Sequence, residues 1–149
     1  MNICEAIKDL IEKNFSKSFA CNQFFYEDEC NDYSMLKAYK EETGIYHFYE
    51  IENNGEGGTK KSLYIGVSYE KSHGLKKRVT QNFTAGNTGG TFRNNLAAYK
   101  FKNDQIQAIK YIKKHVFLEL LPTKSNEAKK LEEIAIAIYE PQYNLKTYT

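Results

Sequence analysis

Two stretches of the chain alternate apolar and polar residues with period two, and most of the rest repeats at three to four. Gly44 to Ile51 and Ser62 to Ser68 read as the arms of a β-hairpin, joined by Asn53-Asn54-Gly55-Glu56-Gly57-Gly58, residues that tolerate turn geometry. The alternation puts Ile45, Tyr49 and Ile51 on one face with Leu63, Ile65 and Val67, and leaves Tyr46 and Tyr64 together on the other. A third strand is expected at 116–121, Val116 to Leu121. Its continuous apolar run fits a central strand stopped by Pro122.

The helical segments fall around these strands. Asn2 caps a first helix running to about Asn14, with Ile3, Ile7, Leu10 and Ile11 as its stripe. Phe24-Phe25-Tyr26 reads as a short strand or a packed turn beside the acidic run Glu27-Asp28-Glu29, and Ser34 caps a short helix ending near Glu42. Leu75, Val79 and Phe83 line a helix after the hairpin. Thr91 caps another, with Phe92, Leu96 and Tyr99 inward and Arg93 and Lys100 outward; Asn103 or Asp104 opens a third carrying Ile106, Ile109 and Ile112. A last helix spans about Ser125 to Tyr139. The expected fold is α+β: a small central antiparallel sheet (hairpin 44–51/62–68 plus strand 116–121) flanked by helices, with residues 1–43 as a helical extension packed on a core domain of 44–149.

Length and composition restrict the function classes. A chain of 149 residues supports one hydrophobic core. No apolar run reaches the roughly 18 residues of a membrane span, and the acidic residues of the first helix exclude a signal peptide, so the expected location is cytoplasmic. Cys4, Cys21 and Cys30 have no paired spacing and read as free thiols. The net charge of +2 hides a segregation: Met1 to Thr59 holds 5 basic and 12 acidic residues, whereas Lys60 to Lys114 holds 12 basic against 2 acidic, a balance of +10. Such a segment is the footprint of a surface that meets phosphates.

Within the last helix the adjacent acids separate by their neighbours. Glu132 lies three or four residues from Ala128, Ala135 and Ile136 and seven from Tyr139, while Glu133 is in reach of Lys129 and Lys130. A carboxylate on the apolar side needs a positive partner, an arginine or a metal ion. His47, His73 and His115 have no metal-like spacing.

Gly44-Ile45-Tyr46 and Tyr64-Ile65-Gly66, followed by Leu75-Lys76-Lys77-Arg78, Leu131-Glu132 and Pro141-Gln142-Tyr143-Asn144, form five words in one order, and over Gly44 to Asn144 the chain resembles the GIY-YIG nuclease family. The resemblance implies a divalent-metal-dependent DNA endonuclease with one Mg²⁺ or Mn²⁺ per active site, carried by Glu132. It implies that Arg78 holds the scissile phosphate, Tyr46 serves as general base with Tyr64 as its positioner, and Asn144 maintains the architecture. Asn82, four residues after Arg78, stands where many members have histidine or tyrosine, and its amide cannot exchange protons near neutral pH. That departure raises the alternative of a catalytically weak or inactive DNA-binding module. The expected partner is duplex DNA, met by Lys71, Lys76, Lys77, Arg93 and Lys100. Double-strand cutting by a one-site domain would need a homodimer or two successive events.

Overall fold

Asn2 opens α1 (Ile3–Asn14), its side chain accepting the Glu5 backbone N–H at 2.8 Å. The computed structural model describes residues 2–27, 30–53 and 57–145; positions 54–56 of the expected hairpin turn and 28–29 of the acidic run lie outside them. After α1 come β1 (Phe19–Ala20), a 3₁₀ turn at Cys21–Phe24, and a small pair, β2 (Phe25–Tyr26) with β3 (Cys30–Asn31). The helix expected after Ser34 is a 3₁₀ segment, Ser34–Tyr39. The hairpin is longer than its apolar alternation, β4 (Gly44–Asn53) and β5 (Gly58–Ser68), because the ladder continues past the buried residues. The rest follows as α2 (Leu75–Thr80), a 3₁₀ turn at Gln81–Phe83, α3 (Thr91–Lys100), α4 (Gln105–His115), β6 (Phe117–Pro122) and α5 (Ser125–Tyr139).

One antiparallel sheet, in the order β1-β6-β4-β5, lies between two helical layers. On one face Tyr46, Phe48, Leu118 and Leu120 pack against Leu75 and Val79 of α2, Phe92 and Leu96 of α3, and Ile112 of α4; on the other, Ile45, Ile65 and Leu121 meet Ile11 of α1 and Ala135 of α5. Both faces are therefore covered, and every residue from Gly44 to Tyr49 is buried. Each fully buried aliphatic or aromatic side chain contributes about 1.5–3 kcal/mol. The segment before Gly44 belongs to this core: β1 extends the sheet, and Cys21, Phe24 and Leu36 are fully buried.

Several sequence expectations are corrected. The β4–β5 register shifts between Phe48 and Tyr49, so that Phe48 faces Tyr64 and Tyr49 faces Ser62. Leu63, the extra residue, joins Tyr46 on the α2–α3 face instead of Ile45. Ile51 lies beyond the covered part of β4 and is 43% exposed. Ile3 and Leu10 are exposed because the apolar contact of α1 with α5 is made through Ile7 and Ile11. Tyr99 points outward, Ala97 taking the inner position, and Ile106 borders a surface groove with Phe25, Tyr33 and Phe83.

A buried polar chain ties α1 and α5 to the sheet. His47, with no exposure, has Nδ1 2.8 Å from Glu119 and Nε2 2.8 Å from Ser62 Oγ. Lys60 Nζ bridges Glu119 at 3.1 Å and Glu12 at 3.0 Å, and the Tyr139 hydroxyl donates to Glu12 at 2.7 Å. Among the described residues no helix is long and apolar enough to cross a membrane.

Candidate active site

The two phenols on the α2–α3 face of the hairpin define the site. Tyr46 is opposite Gly66 in the ladder, and a Cβ at Gly66 would overlap the Cζ and hydroxyl of the Tyr46 ring. Glycine is required here by the close approach of an aromatic ring. Tyr64, two residues along β5, comes beside Tyr46 with ring centroids 6.1 Å apart, and Phe92 of α3 stacks on it at 5.7 Å. The first residue of α3, Thr91, brings its hydroxyl to Tyr64. Gly44, where the hairpin begins, has φ +148°, and a Cβ there would overlap the carbonyl of Leu121 on β6.

Two charges bear on both phenols. Burial raises the Tyr46 hydroxyl well above the usual phenol range, Tyr64 and Glu132 push it further, and Arg78 opposes them. Burial likewise raises Tyr64, with Glu132 adding to the effect and Thr91, Tyr46 and Arg78 opposing it. Arg78 of α2 and Glu132 of α5 thus act with opposite sign on the same tyrosine pair. With both protons held, Tyr46 is a neutral phenol near pH 7.

Arg78 has a vacant donor face. Its Nε is buried without an acceptor, and the guanidinium belongs to no ion pair among the described residues. A half-buried guanidinium with open donors is a binding group for a phosphate or carboxylate. Glu132, 9% exposed, meets Lys129 Nζ at 3.0 Å through Oε1. The sequence reading associated Lys129 with Glu133; the i,i+3 spacing serves Glu132 equally well, and the buried acid takes it. Glu133 is exposed as expected.

Asn144 is paired with the edge of the sheet. Its Oδ1 accepts the Ile65 N–H and its Nδ2 donates to the Ile65 carbonyl, both at 2.8 Å. Tyr143 N–H donates to the Leu63 carbonyl at 2.8 Å, so the segment after α5 closes the free edge of β5. Asn82 has no exposure: its Nδ2 donates to the carbonyls of Arg78 and Val79, and its Oδ1 accepts the Arg93 N–H, each at 3.2 Å. All its polar atoms are engaged with backbone, so its amide links α2 to the first turn of α3.

The expected nucleic-acid contacts divide. Lys71, Lys76 and Lys77 line one cavity of about 360 Å³, joined there by Lys40. Lys100 is exposed but does not line it; its ammonium rides over the Tyr111 ring at 5.1 Å. Arg93, expected outward, is buried. Its guanidinium donates to the Gln81 carbonyl at 2.7 Å, to the Thr84 and Asn87 carbonyls, and to Asn94 Oδ1 at 2.9 Å, which holds the loop before α3; only Nε lacks an acceptor, and the side chain has no exposure through which to meet a phosphate. Lys40, Thr91 and Lys129 escaped sequence reasoning. Only Lys129 had a signal, its spacing from Glu132.

Among the described residues no group of three or more His, Cys, Asp or Glu side chains comes together as a metal site. Glu132 is the one carboxylate bearing on the phenols, a donor set that fits a hard, largely hydrated cation and not a protein-caged one. Comparison with protein-family models, curated proteins and solved structures finds no match to this chain.

Proposed function

We propose that this chain is a divalent-metal-dependent DNA endonuclease of the GIY-YIG type. The observation that carries the reading is the Arg78 guanidinium, its Nε without an acceptor, acting through its charge on one buried and one half-buried phenol together with the buried Glu132 carboxylate. A guanidinium without a protein acceptor is poised for an anion, and the paired phenols supply a proton acceptor and its positioner next to that anion.

Arg78 holds the scissile phosphate and stabilises the charge that develops on its oxygens in the transition state. Tyr46 first gives up its phenolic proton to solvent, a loss that burial opposes and that a cation held by Glu132 would favour, and the phenolate then takes the proton of the attacking water, with Tyr64 beside it as positioner. Glu132 holds Mg²⁺ or Mn²⁺ once Lys129 releases it. Bound there, the ion supplies Lewis-acid stabilisation of the phosphate oxygens. The reaction is direct hydrolysis of a phosphodiester without a covalent intermediate.

A plasmid cleavage assay with metal titration tests the proposal. Glu132→Ala is expected to abolish nicking, and Arg78→Ala to slow it by a factor of 10² to 10³ or more, while DNA binding persists in both. Equal cleavage by the parent and both variants would overturn it. The second reading, a catalytically weak DNA-binding module, draws on the Lys129 ammonium that engages Glu132; salt-sensitive DNA binding with no metal-dependent cleavage identifies it.

A further inference from the structure

We infer that the DNA backbone reaches this site along one lysine-lined groove, built jointly by the N-terminal segment, α2 and the start of α5. The inference rests on the reading above that the substrate is DNA, and adds the path and the residues that hold it.

Three cavities adjoin. The first holds Lys40, Lys71, Lys76 and Lys77. Lys71 also lines the second, which continues to Lys124 and Ser125. Ser125 in turn lines the third, which ends at Lys129, the partner of Glu132. The shared residues make the three a continuous track from α2 to the candidate metal ligand.

Charge identifies the occupant. Six ammonium groups face the track against two carboxylates, Glu41 and Glu42, a balance of +4. Apart from Lys129, none of the six is in an ion pair among the described residues. The hydroxyls of Ser72 and Ser125 stand between them as further donors, whereas that of Thr80 donates back to the Lys76 carbonyl. Cations spread over three connected cavities match a chain of repeating phosphates; one small anion would engage one or two of them. Lysines act as point charges and not as base-reading forks, so the contacts are independent of sequence. Lys40 comes from the acidic first part of the chain and Lys124 from beyond the basic middle, so neither belongs to the charge segregation visible in the sequence.

The test measures binding of a short fluorescent DNA duplex against salt, without metal. The pair Lys40→Gln/Lys124→Gln is expected to weaken binding on the order of tenfold and to lower the log-log salt slope by about 2. Lys40→Arg/Lys124→Arg should bind like the parent, and Lys110→Gln/Lys114→Gln, outside the track, should leave both readings unchanged. Parent-like affinity and slope in the Lys40/Lys124 glutamine pair overturn the groove while leaving the endonuclease reading standing, as does a loss confined to the Lys110/Lys114 pair. A parent that fails to bind duplex DNA at any salt overturns both.

Discussion

Tyr46 and Gly66 illustrate how a single residue is chosen by the atom that touches it. The Tyr46 ring occupies the volume that any side chain at position 66 would claim. Gly66→Ala is expected to displace the phenol and reduce cleavage at least tenfold, since misplacement of about 1 Å can cost 10²-fold, with circular dichroism unchanged; a fully active variant would show the ring is free to move. Asn82 makes the complementary case. Its three hydrogen bonds are all to backbone, so Asn82→Ala should cost about 1–3 kcal/mol in urea denaturation by leaving the buried Arg93 N–H without an acceptor. Asn82→His should destabilise the protein without raising cleavage, because an imidazole cannot reproduce all three backbone hydrogen bonds. A gain in rate would return position 82 to the chemistry.

At the scale of elements, the two helical layers act on the sheet by different means. α5 carries Glu132 and Ala135 on a buried stripe, and its ion pair with Lys129 is made within the helix, so one element both positions and neutralises the candidate ligand. β5 is an edge strand, and its exposed N–H and C=O groups at Ile65 are closed by the Asn144 amide in the manner of a further strand. Asn144→Ala should lower stability by about 1–2 kcal/mol, as read by urea denaturation. Because Ile65 adjoins both Tyr64 and Gly66, cleavage should fall with it. Loss of activity without loss of stability would give the amide a part in the reaction itself.

For the molecule as a whole, the links between α1, α5 and the sheet through Glu12 shape the pH response. Burial alone would raise the Glu12 carboxyl, but the hydrogen bonds from Tyr139 and Lys60 and the charge of Lys60 hold it below its ordinary value of 4.5. A depressed carboxylate contributes stability above its unfolded pKa and loses it as pH falls through the folded value. Glu12→Gln should therefore cost about 1 kcal/mol or less at pH 7, after solvent screening, and the difference should shrink as pH falls below 4.5 through the depressed folded value, measured by urea denaturation of the two proteins across pH. A constant difference would assign the effect to packing.

The sequence by itself determined what depends on neighbours along the chain. The cap at Asn2, a helix start at Asn103 or Asp104 that the fold resolves to Asp104, the span Ser125 to Tyr139, the two hairpin arms and the separation of Glu132 from Glu133 all follow from hydrogen bonds and periodicities within a few residues. Tertiary structure decided what depends on contacts distant in sequence or on a choice between equal spacings. The shift at Tyr49 carried Leu63 across the sheet, and Arg93 turned inward because the carbonyls of the preceding loop needed donors. Lys129 went to Glu132 because a buried carboxylate gains more from a cation than an exposed one. Lys40 and Lys124, separated by most of the chain, came to a common track only when β4 and β6 brought their ends together.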